Sequence, residues 1–490
     1  MLSAAACAPS DRVETDASST LTLGVIGSTK DVIQPYGDSS GPSSGALVRQ
    51  IYNGLTTLGT EGGISYDLAE SMEPNETLDV WTVHLREGVK LHNGKEFGAD
   101  DVVTSLEYIL DPENAFPAAT AISMIDPAGI SKLDDHTVEL KLNKPYGPLP
   151  YAFATERLVM RSLEDPADPD SAVGTGPFTL RSFTAGQEAV LDRFDDYWGE
   201  NAGFTTLKMS FFMEQQAITN ALLGGQIDVA YSVPFTDVGT LESTEGVGLL
   251  VSDSASYMTI AMRTDTEPFS DPRVREALRL TADRDEIVQN AFGGYATAGN
   301  DFYDKKSDCP TPEGAVRSQD IDRAKQLLAE AGQENLQLEL VTDGAFPGMY
   351  EAAQLFASQA AKAGVTITVK KLDVATFLDK WGEWPFVVAY ASGPYLQVVQ
   401  THLLPGGEEN TAHIDDAELN ALADELFAAP DEVEQCRIIT QMQQIEFDRG
   451  GYIVPVYSQW ITAYRSDRVV GLQEDLFGRA AFQFAGVTLK

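Results

Sequence analysis

From Leu207 to Tyr464 the apolar residues keep changing period, from strict alternation to helical spacing and back. Leu207–Phe212 alternates like a strand, Gln215–Leu223 carries its apolar residues at helical spacing, and Ile227–Tyr231 alternates again. A second stretch of this kind runs from about 275 to 464. It predicts helices at Asp320–Ala331, Tyr350–Ala363 and Ala417–Phe427, and strands at Leu336–Thr342, Val365–Lys371 and Phe386–Ala391. Helical and extended segments that alternate bury their apolar faces most simply as βαβ units, which makes the chain α/β. With 490 residues the chain exceeds one ordinary core, so two or more domains are expected. A Pro/Asp-rich linker, Glu164–Ser171, separates the alternating region from what precedes it.

The first third reads differently. Thr20–Ile26 is strand-like, Gly27–Gly45 is a Gly/Ser/Pro loop, and Ala46–Leu55 has helical spacing. Trp81, Val83 and Leu85, then Val89 and Leu91, predict two short strands turning at Arg86-Glu87-Gly88. Ala99–Leu110 reads as an amphipathic helix whose Asp100 and Asp101 suit its N-terminal dipole.

Composition removes several function classes. The formal charge is −40, with acids spread along the whole chain, so nucleic acid and anionic membrane surfaces would repel it. No run approaches the ~18 apolar residues of a membrane span. There is no Gly-x-x-x-x-Gly-Lys-Ser/Thr phosphate loop. The histidines, His84, His92, His136, His402 and His413, form no metal-ligand spacing, and no cofactor or metal is expected. Gly41-Pro42-Ser43-Ser44-Gly45 matches the hydrolase pattern Gly-x-Ser-x-Gly, but a loop precedes it where a nucleophile elbow needs a strand. A secreted serine hydrolase using Ser43 is the reading from another class. Cys309 and Cys436 have the option of a disulfide in an oxidising compartment, or of remaining free thiols.

Met1-Leu2-Ser3-Ala4-Ala5-Ala6-Cys7 is a run of small residues ending in cysteine, followed by a polar stretch from Ala8 to Thr20. It resembles the end of a bacterial lipoprotein signal, with Cys7 acylated and residues 1–19 forming a signal remnant and tether. The basic and most of the apolar parts of such a signal are absent, so the start is expected upstream.

Five segments in order resemble the family-5 extracellular solute-binding proteins, the peptide/nickel class of ABC importers. They are Arg49–Leu55 with Tyr66–Ser71; Trp81–Gly94 with Ala99–Val102; Gly174-Thr175-Gly176-Pro177-Phe178 leading to Asp195–Gly199; Asp271–Leu278 with Asp283-Arg284 and Gly293-Gly294-Tyr295; and Ala324–Gly332. The resemblance implies a type II periplasmic-binding-protein fold: two lobes with mixed sheets plus an inserted small α+β domain. Lobe one is expected from 20–50, 173–262 and 466–490, the inserted domain from 51–172, and lobe two from 263–465.

It also implies a monomeric, extracytoplasmic receptor, lipid-anchored or periplasmic, that is not an enzyme. Its partners would be a small-molecule or peptide ligand and the permease and ATPase subunits of the importer, and it would touch the membrane only through its anchor. Peptide binders of this family carry an aspartate soon after a Gly-Trp pair in lobe two. The matching segment here, Phe386–Gln397, has neither, so an oligopeptide is the first expectation and an oligosaccharide or metal chelate the alternative. Ligand contacts are expected from Trp384, Tyr390, Ser392, Tyr395, Gln397 and Trp460, with Tyr457 nearby, and from Tyr36, Asp38 and Tyr257 on the other lobe.

Overall fold

The computed structural model describes residues 19–37, 42–60, 63–162, 172–303, 309–429, 431–476 and 482–490. Its centre is a mixed sheet of eleven strands. Thr20–Ile26 lies between Thr206–Phe212 and Val229–Ala230, parallel to both. Glu188–Arg193 and Phe178–Thr184 extend that side antiparallel. On the other side Gln337–Thr342 runs parallel to Thr366–Lys371 and Phe386–Ser392.

Two long antiparallel strands, Val247–Met262 and Tyr452–Arg465, join these groups. A strand of 16 residues spans about 50 Å. Its first half meets the end of Tyr452–Arg465, and its second half also pairs with Phe386–Ser392. The register between the long strands breaks at Ser252/Ser256 and Met258/Ile260, where bulges bend the ladder. Helices cover both faces, giving the mixed α/β architecture expected from the alternating periods.

A separate four-stranded antiparallel sheet orders Ala69–Pro74, Val80–Leu85, Thr137–Leu142 and Ile125–Asp134, with the helix Ala99–Leu110 packed on it. Val80–Leu85 alternates buried and half-buried residues, as its sequence predicts. The partner strand expected at Val89–Leu91 does not form. Both edges of Val80–Leu85 are taken by the neighbours just named, and 89–91 keeps only one bridge, Lys90 to Glu96.

Some of the acids have a local structural use. The side chains of Asp271, Asp283, Asp320, Asp373, Asp416 and Asp431 each accept a backbone N–H at a helix start, satisfying donors that have no intrahelical partner. Arg273 pairs with Asp271 at 2.6 Å as its spacing suggests, whereas Arg275 turns inward and donates to the carbonyls of Phe269 and Arg449. Gly174 and Gly176 serve close approach: a Cβ at either would sit within 2.5 Å of a backbone oxygen, of Ile51 and Gln50 respectively. Cys309 and Cys436 are disulfide-bonded, closing 127 residues of sequence. Among the described residues no helix is long and apolar enough to cross a membrane, and no group of three His, Cys, Asp or Glu is placed to hold a metal ion.

Candidate functional site

Three strands end at the same place, Val229–Ala230 arriving from the opposite direction to the other two. Val229–Ala230 leads into Tyr231, Gln337–Thr342 into Asp343 and Phe346, and Phe386–Ser392 runs through Tyr390 to its last residue. Carboxyl ends of strands in an α/β sheet open onto side-chain-lined crevices, and here they wall a cavity of about 300 Å³. The opposite wall comes from far away in sequence. The helix Pro42–Ile51 contributes Arg49, the loop after Leu149–Phe153 contributes Thr155, Glu156 and Arg157, and Phe482 closes one side. Phe377 and Trp381 from 374–381, and Glu408 and Glu409, complete it.

The walls are largely apolar and aromatic. Phe346 stacks on Tyr390 with ring centres 4.3 Å apart and planes 19° off parallel. Trp460 braces both rings edge-on from behind, at 5.6 and 5.7 Å. Tyr231 packs against Trp460 and Phe482. Stacked and edge-on rings hold each other's orientation, so this wall is stiff before any ligand arrives.

Six charged side chains line the space: Arg49, Arg157, Glu156, Asp343, Glu408 and Glu409. Arg49 pairs with Glu156 at 3.0 Å. Arg157 lies 2.5 Å from Glu408 and 3.9 Å from Glu409, and little of the Arg157 and Glu408 side chains is exposed. Burial pushes the carboxyls of Glu408 and Glu409 upward, and Arg157 pulls them back only in part. Asp343 is also raised by burial, with the Ala345 amide donating to it at 3.1 Å. His402, whose Nδ1 lies 2.7 Å from the Thr401 hydroxyl, is pushed down to about 3 by burial and stays neutral.

Several of these contacts cross the cavity mouth. Gln397 donates to the Thr155 hydroxyl at 3.0 Å, and the Arg157 pairs cross beside it. Further along, Tyr146 donates to Gln400 at 2.7 Å and Lys144 meets Asp424 at 2.6 Å. A second space of about 430 Å³ adjoins the first behind the Arg49–Glu156 pair and shares Thr155 and Phe482 with it.

Of the residues expected to contact ligand, Tyr390, Ser392 and Gln397 line the cavity. Trp460 stands behind the Phe346–Tyr390 wall. Tyr36 is fully buried elsewhere, donating to the Val159 carbonyl at 2.9 Å among Tyr108 and Phe116. Tyr257 and Tyr457 pack edge-on in the core, and Tyr395 donates to Glu446 at 2.5 Å. Trp384 donates to the Phe377 carbonyl at 3.1 Å, behind the cavity wall. These five aromatics lie outside the cavity lining, and the polar atom of each has a partner within the chain. Asp38 and Cys7 lie outside the described residues. Ser43 is buried in the first turn of the helix Pro42–Ile51, and the last described strand before it ends at Ile26, so it is not on a strand-to-helix elbow.

The aromatics at Tyr231 and Phe346 and the acid at Asp343 were missed, although Tyr231 ends the predicted strand Ile227–Tyr231 and Asp343 and Phe346 follow Leu336–Thr342, and strand ends are where such folds gather ligand contacts. Arg49, Arg157, Glu408 and Glu409 carried no local signal, because only tertiary folding brings them together.

The profile of the bacterial extracellular solute-binding proteins, family 5 (middle part), matches residues 63–402. The glutathione-binding protein GsiB of Pectobacterium atrosepticum is 27% identical over 71% of this chain and 68% of its own length. The periplasmic oligopeptide-binding protein OppA of Salmonella typhimurium is 27% identical over 88% of this chain and 86% of its own. The solved structure of the periplasmic binding protein AgaA from A. tumefacien R10, in complex with agropinic acid, superposes with a TM-score of 0.87 at 25% identity, over 96% of this chain and 99% of that one.

Proposed function

The chain belongs to the family-5 bacterial extracellular solute-binding proteins, and from that premise we propose that it is the receptor subunit of an ABC importer that captures a short peptide in the cavity between Arg49, Arg157, Asp343 and Tyr390. The receptor takes up its solute outside the cytoplasm, hands it unaltered to the permease, and catalyses nothing. One observation carries the reading: the cavity is enclosed by segments from 42 to 482, remote in sequence, that face each other across it and touch through polar contacts such as Gln397 to Thr155 and Arg157 to Glu408. Contacts that both walls make with one ligand favour the closed arrangement over an open one.

A short peptide fits the lining. About 300 Å³ is at the lower end for small-ligand sites, enough for a few residues and too small for a long chain. The relatives that bind glutathione and oligopeptides point the same way. The lobe assignment forms part of this reading: 20–50, 173–262 and 466–490 as one lobe, 263–465 as the other, and 51–172 as an insertion. So does an acyl anchor on Cys7, which would hold the receptor at the outer face of the membrane.

The test is mass spectrometry of the small molecules released when the purified protein is denatured. Stoichiometric peptides of a few residues support the reading. A glycan or a metal chelate refutes the peptide assignment while keeping the receptor.

A further inference from the structure

The cavity holds four carboxylates against two guanidiniums. Both guanidiniums already face carboxylates of the chain: Arg49 meets Glu156, and Arg157 is shared between Glu408 and Glu409. A ligand anion would have to compete with these pairs and face the remaining acids. Asp343 is the group left over. It reaches the cavity from the turn after Gln337–Thr342, and the groups that hydrogen-bond it are backbone amides of its own turn, among them Ala345 at 3.1 Å. Among the described residues no cation lies within ion-pair distance of it. Lys371, the cation whose charge acts on it, faces Glu214 at 3.8 Å and the Tyr350 ring. A half-buried carboxylate without a countercharge is costly in an empty protein and becomes favourable when a cation arrives.

We propose that the site selects ligands carrying a cationic group, an ammonium or guanidinium, and that Asp343 accepts its hydrogen bonds while Glu409 supplies the second negative charge. The inference rests on the receptor reading above and adds the charge class of the solute. It assigns an amine acceptor at 343 in a chain whose segment Phe386–Gln397 offers no acid. Phe346, three residues on in the same loop, and Tyr390, on the strand paired with Gln337–Thr342, stack to supply the apolar wall for whatever the cation is attached to. Burial raises both Asp343 and Glu409, which is the expected state of carboxylates waiting for a positive partner.

The experiment is a thermal-shift and calorimetric screen of the wild type, Asp343→Asn and Glu409→Gln. The probes are a library of di- and tripeptides with free N-termini, the same peptides N-acetylated, arginine, spermidine, and a set of neutral and acidic sugars. The expected result is stabilisation by probes with a free amine or guanidinium, lost on N-acetylation unless a Lys or Arg side chain remains. Asp343→Asn keeps the unliganded melting temperature but weakens the bound cation by about 10- to 100-fold, the range for one hydrogen bond to a charged group. Equal binding of acetylated and free peptides, or of sugar acids, overturns the charge rule while leaving the receptor reading intact. Unchanged cation affinity in Asp343→Asn overturns the assignment of Asp343. A panel in which no cationic probe stabilises the protein also overturns the charge rule, and the receptor reading is then decided separately by the molecules released on denaturation.

Discussion

Removing the Arg157 side chain should open the cleft before it unfolds the protein. Arg157 sits 2.5 Å from Glu408 and 3.9 Å from Glu409, on a loop that meets them across the cavity mouth. At an effective dielectric of 20, single charges at those separations attract by about 7 and 4 kcal/mol, and desolvation of several kcal/mol per ion offsets much of that. Truncating one partner of such a pair leaves the others buried without compensation and costs about 3–5 kcal/mol. In a hinged receptor the open form rehydrates Glu408 and Glu409, so the cost falls on closure. Arg157→Ala should therefore weaken ligand by up to about two to three and a half orders of magnitude, since apparent affinity scales with the closed fraction. Its melting temperature without ligand should change little. Titration calorimetry with the ligand recovered from the purified protein measures the first effect, and a melting curve the second. Arg157→Met combined with Glu408→Gln, which removes the nearer stranded charge and leaves Glu409, should recover part of the affinity. A large drop in melting temperature with affinity unchanged would refute the argument, because the bridge would then belong to a permanently packed core.

Phe346→Ala, at the Phe346–Tyr390 stack, should cost at least about tenfold in ligand affinity, whereas Tyr36→Phe, which loses a buried hydrogen bond remote from the cavity, should cost about 1 kcal/mol of stability and no affinity; calorimetry and melting curves separate the two. Cys436→Ser opens a closure of 127 residues and should destabilise the protein by about 4–5 kcal/mol in the chain-entropy account, read from urea unfolding with and without reductant. His402 is held at about 3 in the folded state against 6.5 unfolded. Unfolded chains take up its proton first as pH falls, so its contribution is whole above pH 6.5 and lost progressively toward pH 3, at up to about 1.4 kcal/mol per pH unit. His402→Gln should flatten that part of the stability profile, and an unchanged slope contradicts the assignment.

The sequence carried most of the fold and little of the site. Gln215–Leu223 and Ala417–Phe427 form helices at the predicted bounds, and Phe386–Ser392 a strand, because local periodicity decides there, with the Asp416 cap acting in the same direction at Ala417. Val89–Leu91 failed because strand pairing is decided by which neighbours occupy an edge: Ala69–Pro74, just upstream, takes one edge of Val80–Leu85, and Thr137–Leu142, about 50 residues downstream, takes the other. The helix expected from Ala46 starts earlier, at Pro42, whose fixed φ suits a first turn. For the site, Tyr390, Ser392 and Gln397 were legible from their place at the end of one strand. An aromatic in the core and an aromatic in a cleft look alike in sequence, and Tyr257 and Tyr395 proved to be the former. The charged residues Arg49, Arg157, Glu408 and Glu409 come from three remote segments, and in a chain with 74 acids nothing local sets two of them apart.

The claim on which all of this depends is that the cavity opens and shuts around a solute. Small-angle scattering measures it directly. A closed globule of this length has a radius of gyration of about 23 Å. The protein stripped of ligand by partial unfolding and refolding should scatter as a larger particle and return toward that value when the extracted ligand is added back. Identical radii with and without ligand, while calorimetry reports binding, would contradict it.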